Sequence, residues 1–126
     1  MSDRPTVAVV GASRDRSKYG NISVRAHIQQ GYEVFPINPH ADQVEGLTAF
    51  GSLADLPVER LDRVSVYLPP HQTTVLLDEI AELDVDEVWL NPGSADPDVR
   101  ARAAELNMPI IEACSIVDLG VTPYSV

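Results

Sequence analysis

Apolar residues come in short runs of four to six, separated by amphipathic stretches of helical length, across the whole 126-residue chain. That alternation predicts consecutive βαβ units and a parallel sheet. Thr6 to Val10 reads as the first strand. Asn21 to Gln30 reads as a helix closed by Gly31, since glycine accepts the left-handed conformation at a helix end without Cβ strain. Tyr32 to Ile37 is the second strand, with Pro36 near its end because proline donates no ladder hydrogen bond. Thr48 to Phe50 reads as a short third strand, followed by a helical turn from Ser52 that Pro57 stops. Arg63 to Leu68 is the fourth strand and Gln72 to Leu83 the next helix, with Val75, Leu76, Ile80 and Leu83 on one face. Glu87 to Leu90, the helix Pro97 to Leu106 opened by Asp96 and Pro97 as N-cap and first residue, and Pro109 to Glu112 complete the series. The expected fold is a three-layer, doubly wound α/β sheet in order 3-2-1-4-5 with the last strand beyond, formed by one domain spanning residues 1–126.

In such a sheet, ligands bind at the carboxyl ends of the strands where the order reverses. Four loops converge there: Gly11 to Lys18, Asn38 to His40, Leu68 to His71, and Asn91 to Ser94. Gly11-Ala12-Ser13 follows an apolar strand and precedes a helix, where free backbone N–H groups and the helix dipole favour an anion by about 0.3–1 kcal/mol. With Gly20 it is not the full G-x-G-x-x-G fingerprint. Arg14, Arg16 and Lys18 would each add a charge-assisted bond, and a strand-to-helix turn with solvated basic residues is the competing reading.

Charge sharpens this picture. The net charge is −10, which argues against general nucleic-acid binding. Residues 1–40 carry +2 and the remainder −12, so positive charge gathers at the glycine turn. Acids elsewhere read as a solvated surface. The segment Met1-Ser2-Asp3-Arg4-Pro5 lacks the apolar core of a signal peptide, and no run reaches the length of a membrane span. One cysteine, Cys114, excludes an internal disulfide and a C-x-x-C zinc or redox motif. These features predict a cytoplasmic protein with no metal.

The end of the second strand bears on the ligand. NAD-binding folds carry a carboxylate there for the ribose hydroxyls, whereas this chain has Asn38-Pro39-His40 and its first acid beyond is Asp42. A neutral rim tolerates an additional ribose phosphate. It favours coenzyme A or NADP over NAD, while a plain turn at Asn-Pro is the competing reading.

The words V-A-V-V-G-A-S at 7–13, G-Y-E-V-F-P-I-N-P at 31–39, S-L-A-D-L-P at 52–57, V-Y-L-P-P at 66–70 and V-W-L-N-P-G at 88–93 carry a family resemblance. In order and spacing they resemble the small coenzyme A-binding proteins of the Rossmann type, which are similar to the nucleotide domain of the succinyl-CoA synthetase α subunit. Cys114 also falls where that family often has cysteine. The resemblance implies a Rossmann-like nucleotide-binding fold with the phosphates of CoA or an acyl-CoA on Gly11, Ala12, Ser13, Arg14 and Lys18. It implies Asn38, Pro39 and His40 near the adenosine, and Leu68, Pro69 and Pro70 flanking the cofactor across the crevice. Where the synthetase domain has a lysine after the second strand, this chain has His40, which makes a phosphate contact there pH-dependent. The segment Ser115 to Val126 departs from the basic or histidine-bearing ending of the small proteins.

Catalytic candidates are thin. No Ser-His-Asp set and no metal-ligand spacing is readable. His27 reads as surface or packing, Trp89 as core, His71 as a helix-initiating residue with ligand contact as the alternative. Cys114 reads as a small buried hydrophobe, although a thiol beside CoA could form a mixed disulfide. Three functions stay open: a CoA or acyl-CoA binding module without chemistry of its own, a component of an acyl-CoA synthetase that needs a separate ATP-grasp partner subunit, and an NAD(P)-linked redox protein. A homodimer is compatible with the first.

Overall fold

A computed structural model describes residues 4–126; Met1 to Asp3, part of the Met1–Pro5 segment considered above, lie outside the described residues. The strands are β1 (Thr6–Val10), β2 (Glu33–Ile37), β3 (Gln43–Val44), β4 (Leu47–Thr48), β5 (Arg60–Val66), β6 (Asp84–Leu90) and β7 (Ile110–Ile111). The helices are α1 (Tyr19–Gln29), α2 (Pro70–Ile80), α3 (Pro97–Glu105) and the one-turn α4 (Ser115–Asp118). The main sheet runs β2-β1-β5-β6-β7, and every neighbouring pair is parallel.

The expected third strand survives as one parallel bridge, Phe50 to Ile37, reinforced by Asn38 N–H donating to the Phe50 carbonyl at 2.9 Å. Thr48 belongs instead to an antiparallel hairpin, β3–β4, that the sequence reading did not include. Four element starts also move toward the N-terminus, with β6 beginning at Asp84 instead of Glu87. α1 starts at Tyr19, α2 at Pro70 and β5 at Arg60, because Pro70 is tolerated in a helix's first turn and Arg60 and Asp62 pair along the strand edge.

Alternation along the strands divides the interior between two faces. Ala8, Val10, Val64, Val66, Val88 and Leu90 pack with Leu76, Leu77 and Ile80 of α2 and Val99 and Ala103 of α3. Val7, Val9 and Val34 pack on the other face against Val24 of α1 and Val44 of the hairpin. On that second face the β5–β6 half is polar: Arg63, Ser65 and Asn91 are buried there, closed over by α4.

Candidate functional site

Gly11 ends β1 with φ +87°, and a Cβ there would lie 2.3 Å from the carbonyl oxygen of Tyr67. Gly20, in the first turn of α1, would place a Cβ 2.1 Å from the Gly11 carbonyl oxygen. The two glycines therefore clamp strand end, helix start and the end of β5 backbone to backbone, and this closeness brings the α1 N-terminus to the sheet edge. Lys18 is the N-cap and provides no side-chain acceptor, so the first-turn N–H groups rely on other partners.

The intervening loop is braced from within. Ser13 Oγ accepts the Asp15 N–H at 3.0 Å, and Asp15 Oδ1 accepts the N–H and hydroxyl of Ser17 at 3.0 and 2.7 Å. Those bonds hold the Asp15 carboxyl below its usual range. Arg25 donates to the Arg16 carbonyl at 2.9 Å, and Asn21 Nδ2 donates to the Ser13 carbonyl at 2.8 Å. Arg16 itself pairs with Glu45 at 3.6 Å. Among the described residues, Arg14 and Lys18 form no ion pair, and both are exposed.

Three adjoining cavities run along the carboxyl edge. The first, of about 600 Å³, has an apolar floor of Val10, Ala12, Ile37, Leu53, Leu68 and Leu76, with Pro39, His40, His71, Gln72 and Glu79 at its rim. Val75 of α2 also lines it and is 65% exposed, an apolar side chain left open on the cleft wall. The second, of about 540 Å³, is bounded by Lys18, Tyr19, Tyr67, Pro69, Pro70 and the Pro92–Ser94 loop. Gly11 and Leu68 line both. The third, of about 670 Å³, is polar, lined by Arg14, Asp42 and Glu45 among others, and meets the first at His40.

Most residues singled out from the sequence thus converge, but in different sections. Gly11 lies at the junction; Ala12, Asn38, Pro39, His40 and Leu68 border the apolar section; Lys18, Pro69 and Pro70 the second; Arg14 the third. Ser13 lines none of the three, its hydroxyl being turned to Asp15. Asn38 has a structural duty beside its place at the rim. Its Nδ2 donates to the Ala12 carbonyl at 2.9 Å and its Oδ1 accepts the His40 N–H at 2.7 Å, latching the ends of β1 and β2 together.

Sequence reasoning missed Gln72, Glu79, Glu45 and Tyr67 as lining residues. The stripe Gln72, Val75, Leu76, Glu79 on α2 was available as a signal, since an apolar valine exposed on a helix beside a sheet edge marks a face without a packing partner. Glu45 left no such signal because the hairpin carrying it was not anticipated.

A second set of polar groups lies behind the cleft. Asn91 Oδ1 accepts the Ser115 N–H at 2.9 Å and its hydroxyl at 3.1 Å, while Asn91 Nδ2 donates to Ser65 Oγ and the Val66 carbonyl at 2.9 and 3.0 Å. Tyr67 hydroxyl lies 3.1 Å from Ser115 Oγ, and burial raises its pKa. His27, fully buried rather than on the surface, has Nδ1 2.8 Å from the Ser23 carbonyl and Nε2 3.4 Å from Arg63. A carbonyl only accepts, so Nδ1 carries the proton and Nε2 faces the guanidinium as acceptor. Burial pushes His27 down to about 4, assisted by the Arg63 charge. Arg63 also donates to Glu87 at 3.0 Å and Asp118 at 2.7 Å and lies over the Trp89 ring. Every buried side-chain polar atom among the described residues has a partner, and no group of three or more metal-ligating side chains occurs among them. No helix is long and apolar enough to cross a membrane, again among the described residues.

Residues 5–120 match the family described as CoA binding domain. The chain is 27% identical over 117 residues to the uncharacterized protein YneT of Bacillus subtilis, covering 92% of this chain and 86% of YneT. A solved structure from Thermus thermophilus is 32% identical with a TM-score of 0.81, covering 91% of this chain and 87% of the other. An acetyl-coenzyme A synthetase from Ca. Korarchaeum cryptofilum, solved with phosphate and ADP, is 26% identical with a TM-score of 0.73; the match covers 86% of this chain but 25% of the synthetase. The parallel sheet, the glycine-clamped turn and the cleft at the strand ends thus coincide with a match over almost all of the described chain, and the protein belongs to the CoA binding domain family.

Proposed function

We propose that this protein binds coenzyme A or an acyl-CoA along the carboxyl edge of the sheet, as a cytoplasmic single-domain binding module without catalysis of its own. The observation that carries the reading is the sequence of cavities that meet at Gly11: an apolar section on one side and, on the other, a second section lined by Lys18 and the α1 N-terminus. The adenine would lie on Ile37, Leu53, Leu68 and Val75. The diphosphate would lie at the glycine turn with Lys18 supplying charge, and the pantetheine arm would follow Tyr67, Pro69 and Pro70. This order suits a long ligand with an apolar base, a doubly charged centre and a neutral arm. Arg14 and His40 stand where a phosphate on the adenosine ribose would emerge.

A second reading, a component of a multi-subunit acyl-CoA synthetase, is favoured by the likeness to one quarter of the acetyl-coenzyme A synthetase chain. It requires an ATP-grasp partner. An NAD role fits less well because Asn38, rather than an acid, follows β2.

The deciding experiment is native mass spectrometry of gently purified protein. Released CoA or acyl-CoA is the expected result, and NAD(H) in its place would overturn the proposal. Co-purification of an ATP-grasp protein would favour the synthetase reading. Lys18→Ala should weaken CoA binding about fivefold with unfolding temperature unchanged, as the loss of one charge-assisted contact at an exposed rim requires.

A further inference from the structure

The β3–β4 hairpin reaches the loop that follows β1. Its two central residues, Glu45 and Gly46, have φ of +49° and +79°. Asn-Gly or Asp-Gly meets that backbone requirement with least strain, so the turn alone does not account for glutamate. The Glu45 carboxylate accepts a hydrogen bond from Asn21 Nδ2 at 3.1 Å and lies 3.6 Å from Arg16 Nε. Asn21 in turn holds the Ser13 carbonyl, so the hairpin tip is tied to the loop beside the glycine turn. Glu45 also lines the polar cavity with Arg14, His40 and Asp42. One carboxylate therefore pairs with Arg16 and shares a cavity with Arg14, which makes no ion pair among the described residues.

We propose that Glu45 is a specificity-determining residue: its carboxylate competes with a ligand phosphate for Arg16 and moderates the preference for an adenosine coenzyme that carries a ribose phosphate over one that does not. The inference rests on the CoA reading above. With the base in the apolar cavity and the ribose at its rim, a ribose phosphate leaves toward His40, the residue shared with the polar cavity. There it meets Arg14 as a lining counter-ion and Glu45 and Asp42 as like charges, with Arg16 held next to Glu45 by their ion pair. Neutralising Glu45 removes one repulsion and releases Arg16.

Calorimetric titration of CoA and dephospho-CoA into the native protein and Glu45→Gln tests this. Glutamine keeps an acceptor for Asn21 but not the charge. The affinity ratio of CoA to dephospho-CoA should rise about three- to tenfold in the variant, through CoA alone, and the gain should shrink in high salt. Adding Arg16→Ala should cut the gain to the part that comes from removing the repulsion. A ratio that stays the same or falls while both ligands bind would overturn the role of Glu45. Failure of both ligands to bind either protein would overturn the CoA reading itself. Should Glu45→Gln not fold, Glu45→Asn, which suits the left-handed turn, gives the same comparison.

Discussion

The two faces of the sheet are built on the same strands by opposite means. Toward α2 and α3, the side chains of β1, β5 and β6 are aliphatic and form one continuous apolar cluster. Toward α1 and α4, the same β5 and β6 and the residues that follow them present Arg63, Ser65, Tyr67, Glu87 and Asn91, and hydrogen bonds join a small apolar cluster of Ile22, Ala26 and Ile116 in holding the layers together. Apolar burial is non-directional and tolerates small displacements, whereas a satisfied polar network fixes one arrangement and penalises every other. The short α4 docks through Ile116, fully buried with Ile22 and Ala26 of α1. Asn91 fixes its position by receiving its first N–H and its serine hydroxyl.

The largest contrast should come from the apolar face. Leu77 is fully buried, and Leu77→Ala should cost about 3–4 kcal/mol, read as a lower denaturant midpoint with unchanged m-value. Destabilisation below about 1 kcal/mol would show that this face collapses around the cavity and is less tightly packed than its contacts indicate.

The polar face should respond to pH where the apolar one does not. His27 titrates near 6.5 in the unfolded chain and near about 4 when folded, so the unfolded state binds the proton first as pH falls. Its contribution is complete above pH 6.5 and is lost progressively toward pH 4, by about 2–3 kcal/mol. Chemical denaturation across that window should show the slope in the native protein and a flatter profile in His27→Gln. Equal slopes would assign the acid sensitivity to carboxylates instead. Asn91→Ala should then cost about 2 kcal/mol, since it strips partners from Ser115 and Ser65 together. Hydrogen exchange should quicken first in α4, while α2 amides stay protected; simultaneous loss in both helices would mean that the faces do not open independently.

The sheet was legible from the sequence because its apolar runs alternate with helices and because Gly11, Gly31 and the prolines mark their ends. The cleft was legible for the same reason, since topology alone gathers the loops after β1, β2, β5 and β6. The hairpin was not, because a four-residue antiparallel pairing at Gln43–Thr48 has too little pattern to separate it from a loop and no Asn-Gly turn to announce it. The polar face was hidden for another reason. Arg63, Ser65 and Tyr67 alternate with Val64, Val66 and Leu68 as in a strand with one solvated side. Only the return of Ser115 to Asn91, from the far end of the chain, turns that wet pattern into an interior.

Tyr67 joins the two regions, and the smallest predicted effect separates them. Its ring borders the second cavity while its hydroxyl lies against Ser115 on the polar face. Tyr67→Phe keeps the ring and removes one hydrogen bond, leaving Ser115 Oγ with Ser65 and Asn91 as partners. The cost should therefore be about 1 kcal/mol, visible as a drop of a few degrees in unfolding temperature. If the cleft uses only the ring, the thermal shift produced by CoA should be the same in native and variant proteins. A reduced shift at equal protein stability would mean that ligand and α4 are coupled through this hydroxyl, and that the polar face serves the site as well as the fold.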